Sequence, residues 1–97
     1  MIVLPDADME SSTKIIADSA FGCAGQRCLA SSLAITVGEA RTVFTPLIAD
    51  AASSRKVGYG LEADVQMGSV IGPESQRRVE EAIGKGAREG AEASTWA

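Results

Sequence analysis

The sequence predicts an α/β fold, in which parallel strands alternate with helices along a chain of 97 residues. Two apolar runs, residues 1–4 and 33–37, have the continuous apolar character of strands, and the second suits a strand that is buried on both faces. After each run, apolar residues recur at helical spacing. Because parallel strands need neighbours at both edges, two strands indicate a section of a larger sheet.

The first helix is predicted to follow Asp6 or Asp8, since either carboxylate can cap the free N–H groups of a first turn. The helix should end before Gly22 and Gly25, because two glycines so close together favour a turn. Its apolar residues, expected on or near one face, are Met9, Ile15, Ile16 and Ala20.

A second helix is predicted from about residue 39 to residue 53, and Pro46 should kink it unless it lies near the first turn. Residues 57–72 are rich in glycine and should be irregular. Pro73 then suits the first position of a third helix. The expected apolar faces are Val43, Phe44, Leu47, Ile48 and Ala51 in the second helix and Val79, Ala82 and Ile83 in the third.

Composition and charge exclude several classes of function. The net charge is −4 and no basic stripe is present, so we expect no nucleic-acid partner. The chain has no histidine, which excludes a Cys-His or Ser-His-Asp arrangement within it, and two cysteines are too few for a zinc site. No apolar run is long enough to span a bilayer, and the start does not resemble a signal peptide. We therefore expect no membrane partner and a cytoplasmic, reducing location.

Cys28 follows the glycine-bearing loop and precedes the second predicted strand, which is a suitable position for a nucleophile held on a rigid scaffold. The neighbouring cation of Arg27 can favour the thiolate, and backbone N–H groups of a tight turn can stabilise an oxyanion. On spacing alone, however, the alternative of a small buried cysteine is favoured over the nucleophile.

The sequence of residues 21–30 is Phe-Gly-Cys-Ala-Gly-Gln-Arg-Cys-Leu-Ala, and it resembles the cysteine active-site signature of the aldehyde dehydrogenase superfamily. Its Gly-Gln-Arg-Cys core is most similar to the methylmalonate-semialdehyde dehydrogenase branch. Residues 3–8, 57–61, 67–68 and 71–75 resemble the segments that flank the cysteine in this family, in the same order and spacing.

The resemblance implies that residues 1–92 are part of an aldehyde dehydrogenase catalytic domain, incomplete as a domain, and that residues 93–97 are an unmatched tail. Within the matched part, Ser69 stands where the family usually has proline. The matched part covers only about a fifth of a full-length family member. We therefore expect the chain to be a fragment around the catalytic cysteine.

The resemblance also implies a mechanism. In this family, the cysteine thiolate attacks the aldehyde carbon to give a thiohemiacetal, and hydride transfer to a nicotinamide cofactor leaves a thioester. The acyl group then passes to water or, in the methylmalonate-semialdehyde branch, to coenzyme A. Cys28 matches the nucleophile, and its backbone N–H matches one oxyanion donor. Arg27 matches the arginine that helps to hold a substrate carboxylate, the alternative being a solvated or structural arginine.

The implied cofactors are NAD, whose site would lie mostly outside this chain, and coenzyme A as acyl acceptor. The implied partner is a small aldehyde or semialdehyde, and full-length relatives are expected to be homo-oligomers. No residue here is assigned to cofactor or metal binding.

Two alternatives remain at this point. One is a truncated, catalytically inactive remnant with no independent function. The other is a small thiol-redox protein that uses Cys23 and Cys28, which ranks last because the pair lacks the Cys-x-x-Cys spacing. We expect Cys23 to be a small packing residue and Gln26 to shape the loop.

Overall fold

The computed structural model describes residues 1–94, and the predicted α/β alternation is confirmed in them. A short 3-10 turn at Gly22–Gly25 follows the first helix. Of the predicted tail, residues 95–97 lie outside the described residues. The elements are β1 (Ile2–Val3), α1 (Met9–Phe21), β2 (Ile35–Thr36), α2 (Ala40–Ser53) and α3 (Pro73–Arg88).

The two strands pair in parallel, with Ile2 opposite Ile35 and Val3 opposite Thr36. The ladder includes a hydrogen bond of 2.9 Å from the Ile35 N–H to the Met1 carbonyl oxygen. Because α1 connects the ends of two parallel strands, the unit is a β–α–β crossover.

The prediction that the second strand is buried on both faces is wrong for the described residues. Val3 in β1 is only 2% exposed, whereas Leu33 and Ile35 are 65% and 51% exposed. β2 pairs with β1 in a two-stranded sheet, so most of its side-chain surface faces solvent.

Helix α1 begins as predicted at an aspartate cap, and the cap is Asp8. The Asp8 Oδ1 atom accepts a hydrogen bond of 2.9 Å from the Ser11 N–H. Ile15 is 59% exposed and does not lie on the buried face as predicted. Ile15 lies two positions from both Thr13 and Ala17, about 200° around the helix, so it points away from the side that these buried residues occupy. The buried residues of α1 are Thr13, Ile16 and Ala17.

The hydrophobic core lies where α1 and α2 pack over β1. Its buried members are Val3, Ile16, Ala40 and Phe44, with Ala7, Met9 and Ile48 packed around them. Val43 and Leu47 are exposed, contrary to the predicted face of α2, and Ala40 is buried instead. Ala40, Phe44 and Ile48 are four residues apart, which gives a narrower stripe than the one predicted. Pro46 lies inside α2, and the helix continues to Ser53.

Helix α3 begins at Pro73 as predicted, but it buries none of its residues. The predicted apolar face is exposed, since Val79 and Ile83 are each 44% accessible. None of the helices within residues 1–94 is long and apolar enough to cross a membrane.

Thr13 is buried, and among the described residues its Oγ1 atom has no hydrogen-bond partner. We expect Thr13→Val to raise the free energy of unfolding by about 1 kcal/mol, because valine has the same shape without the unsatisfied hydroxyl. Urea titration followed by circular dichroism measures the change. The matched control is Thr45→Val, at an exposed position of α2, which should leave stability within about 0.5 kcal/mol. A loss of stability in Thr13→Val would show that the hydroxyl has a partner.

Candidate active site

The loop after α1 reverses the chain through consecutive residues in the left-handed backbone conformation. Cys23, Ala24 and Gly25 have φ angles of 53°, 54° and 72°. Glycine adopts this conformation without penalty, but a residue with a Cβ atom does not. The path of the loop must therefore be stabilised by the contacts that its side chains make.

Gln26 provides such contacts in two directions. Its Nε2 atom donates a hydrogen bond of 2.9 Å to the Cys23 carbonyl oxygen, within the loop. Its Oε1 atom accepts a hydrogen bond of 2.8 Å from the Ile71 N–H, and Nε2 lies 3.5 Å from the Ser69 carbonyl oxygen. The side chain joins the cysteine loop to a segment more than forty residues further along, which supports the predicted role of Gln26 in shaping the loop.

Cys28 lies on a tight turn directly after Gln26 and Arg27. The Ala30 N–H closes this turn with a hydrogen bond of 3.2 Å to the Arg27 carbonyl oxygen. The closing bond uses the N–H of Ala30 and not that of Cys28. Both Cys28 and Cys23 are exposed free thiols, so neither is the buried packing residue that spacing alone favours.

An open cleft of about 310 Å³ adjoins the Cys28 turn. The end of α1 contributes one wall, and Ser19 fixes it to the loop by accepting a hydrogen bond of 3.2 Å from the Ser31 N–H. Asp18 and Ser19 are lining residues that the sequence analysis missed. Their position in the last turn of α1, just before the Gly22 loop, is the signal that could have identified them. The lining residues are Asp18, Ser19, Arg27, Cys28, Leu29 and Ala30.

The Arg27 side chain lies against the first residues of the loop while it lines the cleft. Its Nε–H donates to the Cys23 sulfur at 3.4 Å. The guanidinium covers Gly22, where an added Cβ atom would come within 2.9 Å of the Arg27 Cζ. The hydrogen bond to Cys23 raises the pKa of Arg27, whose guanidinium is a permanent cation.

A second arginine, Arg55, fixes the end of α1 from outside the cleft. Its Nη2 atom forms an ion pair of 2.5 Å with the Asp18 Oδ1 atom. Its guanidinium also lies over the Phe21 ring, 5.5 Å from the ring centre. The same Asp18 lines the cleft, so Arg55 helps to determine where that carboxylate lies.

We expect Gln26→Ala to speed hydrogen exchange at the Ile71 amide, because the N–H loses its acceptor. The loss of one hydrogen bond of about 1 kcal/mol corresponds to about a five-fold increase in exchange rate. Exchange measured by NMR checks this expectation. The control is Gln76→Ala, which removes a side chain that donates to Glu80 within α3 and should leave exchange at the Ile71 amide unchanged. Equal exchange in both variants would contradict the role of Gln26.

The sequence is similar to known dehydrogenases along almost its whole length. The aldehyde dehydrogenase family model matches residues 1–95. The chain is 40% identical over 90 residues to the mitochondrial, acylating methylmalonate-semialdehyde/malonate-semialdehyde dehydrogenase of Mus musculus, covering 93% of this chain and 17% of that enzyme. It is also 40% identical over 90 residues to malonate-semialdehyde dehydrogenase 2 of Geobacillus kaustophilus, covering 93% and 19%. The chain thus spans less than a fifth of these relatives.

Solved structures agree with the sequence comparison. Methylmalonate-semialdehyde dehydrogenase of Oceanimonas doudoroffii superposes with a TM-score of 0.87 at 33% identity, covering 92% of this chain and 18% of that one. Betaine aldehyde dehydrogenase of Staphylococcus aureus, in complex with NAD⁺, superposes with a TM-score of 0.93 at 29% identity, covering 97% and 19%. Since the aldehyde dehydrogenase family model matches residues 1–95 of the sequence, the chain belongs to the aldehyde dehydrogenase family.

Proposed function

We propose that this chain carries the catalytic nucleophile, Cys28, of an NAD-dependent aldehyde dehydrogenase that oxidises a semialdehyde. The observation that carries the proposal is the exposed Cys28 thiol on a tight turn beside an open cleft of about 310 Å³. A cleft of this size accepts a small aldehyde. The names of the relatives, which include malonate-semialdehyde dehydrogenase, support a semialdehyde as the substrate class.

In the proposed reaction, the Cys28 thiolate attacks the carbonyl carbon of the aldehyde. A C–S bond forms while the π electrons of the carbonyl group move to its oxygen, which becomes an oxyanion. The Cys28 N–H belongs to the same residue as the thiol, and the hydrogen bond that closes the turn uses the Ala30 N–H instead. This N–H can therefore stabilise the oxyanion.

Arg27 is proposed to bind the carboxylate of the semialdehyde. A malonate-type semialdehyde carries its carboxylate only a few bonds from its aldehyde group, and Arg27 and Cys28 line the same cleft. A guanidinium can donate two parallel hydrogen bonds to a carboxylate. Its permanent charge would favour substrates that carry a carboxylate over uncharged aldehydes.

The Cys28 cleft does not suit the pyrophosphate of NAD. The cleft adjoins the last turn of α1, the end at which a helix dipole is negative, and the Asp18 carboxylate lines it. Neither feature suits a pyrophosphate, which favours a helix N-terminus. NAD is proposed to act as the hydride acceptor, and its site is proposed to lie mostly outside this chain. The acylating activity named for the mouse relative supports coenzyme A as acyl acceptor, with water as the alternative.

The proposal is tested by grafting residues 1–95 in place of the matching segment of the Geobacillus enzyme. We expect the graft to form NADH from malonate semialdehyde, and Cys28→Ser to lower the rate at least about a thousand-fold, because the nucleophile is lost. NADH absorbance measures the rate, and mass spectrometry of the product distinguishes acyl-coenzyme A from the free acid.

The matched control is Cys23→Ser in the same graft, which should keep most of the activity. A folded graft that is inactive with Cys28 intact would contradict the proposal and favour the inactive remnant. Activity that survives Cys28→Ser would exclude Cys28 as the nucleophile.

The isolated chain of 97 residues is expected to form no NADH from aldehydes. The reason is that the NAD site is proposed to lie mostly outside this chain, so the isolated chain would not position a hydride acceptor beside Cys28. An assay with purified chain, malonate semialdehyde and NAD checks this, with the active graft as positive control. NADH formation that disappears in Cys28→Ala would contradict the expectation.

A further inference from the structure

We propose that Gly22 and Cys23 are positioning residues that hold the Arg27 guanidinium at the Cys28 cleft, where it selects substrates that carry a carboxylate. The inference rests on the proposed function and deepens it. The Arg27 side chain is exposed, so its cation would move freely without contacts that fix its position.

The first contact is the hydrogen bond from the Arg27 Nε–H to the Cys23 sulfur, at 3.4 Å. This bond occupies the nitrogen nearest to the chain. The two terminal nitrogens remain, and they are the pair that can donate parallel hydrogen bonds to a carboxylate from the end of the side chain. The bond to sulfur therefore orients the guanidinium and leaves its two terminal nitrogens free to bind a carboxylate.

The second contact is the surface of Gly22. The backbone there has φ −56° and ψ 129°, which residues with side chains adopt readily. Backbone conformation therefore does not require glycine at this position. A Cβ atom would lie 2.9 Å from the Arg27 Cζ and 3.1 Å from Nη1. Glycine is needed because the guanidinium lies flat against it, and alanine would displace the side chain without straining the backbone.

The test uses the 97-residue chain and two alkylating probes of similar size, iodoacetate and iodoacetamide. Both form a C–S bond at a thiolate and release iodide, but only iodoacetate carries a carboxylate. The ratio of the two rates at Cys28 therefore reports a cation held beside that thiol. A change in thiol reactivity alone alters both rates by the same factor and leaves their ratio unchanged. Trypsin cleaves after Arg27 and so places the two cysteines in different peptides for mass spectrometry. In Arg27→Met this cleavage site is lost, and tandem fragmentation shows which cysteine carries the label.

We expect the iodoacetate-to-iodoacetamide ratio at Cys28 to fall about three-fold in Arg27→Met, the size expected for one charge a few ångströms away in water. Gly22→Ala and Cys23→Ala should lower it similarly, because the cation is then no longer held. Cys23→Ser should keep the ratio, since a hydroxyl oxygen can accept the same hydrogen bond. The matched control for Gly22→Ala is Gly60→Ala, where an added Cβ atom meets nothing within 4 Å.

A ratio that falls in Arg27→Met but not in Gly22→Ala or Cys23→Ala would overturn the positioning role and leave the proposed role of Arg27 intact. A ratio unchanged in Arg27→Met, or equal in the native and urea-unfolded chain, would overturn the inference. Neither result alters the test of Cys28, which depends on NADH formation by the graft. If circular dichroism shows that Gly22→Ala unfolds, the comparison of Cys23→Ser with Cys23→Ala decides the question.

Discussion

Burial of the Phe44 ring against Ile16 and Val3 holds α1, α2 and β1 together, and the position of the cysteine loop depends on it. Ala40 completes the contact because its small side chain lets the start of α2 approach the strand. Neither α3 nor the segment of residues 57–72 adds a buried residue to this core. These few apolar contacts, together with the ion pair between Arg55 and Asp18, hold α1 in place and therefore position the loop at its end.

The local elements could be predicted from the sequence, whereas the pattern of burial could not. The Asp8 cap and Pro73 act within a single helical turn, so their effect is visible in the local sequence. The burial of Ile35 depends on which elements cover the sheet, and the continuous apolar character of its strand suits a sheet with more neighbours than β1 alone provides. Leu29 and Ile71, each 88% exposed, show the same discrepancy between apolar character and accessibility.

In the candidate site, too, local features could be predicted from the sequence and long-range contacts could not. The Gly-Gln-Arg-Cys sequence predicts Cys28 and Arg27 as site residues and a structural role for Gln26, because these residues are adjacent in the chain. The partners that fix them could not be predicted, since the bond between Gln26 and Ile71 joins residues 45 positions apart. Asp18 lines the cleft and pairs with Arg55, which lies 37 positions away. Contacts at these separations depend on how the helices pack, and no local pattern encodes that packing.

The left-handed turn before Cys28 explains why the loop needs so many polar contacts. Cys23 and Ala24 each adopt a conformation that costs a residue with a Cβ atom about 1–2 kcal/mol. The backbone N–H and the side-chain amide of Gln26 both donate to the Cys23 carbonyl oxygen, at 3.1 and 2.9 Å, and so offset part of that cost. Arg27 contacts the same residue through its sulfur. Cys23 is thus held through both its backbone and its side chain, and the turn that it stabilises directs the chain towards Cys28.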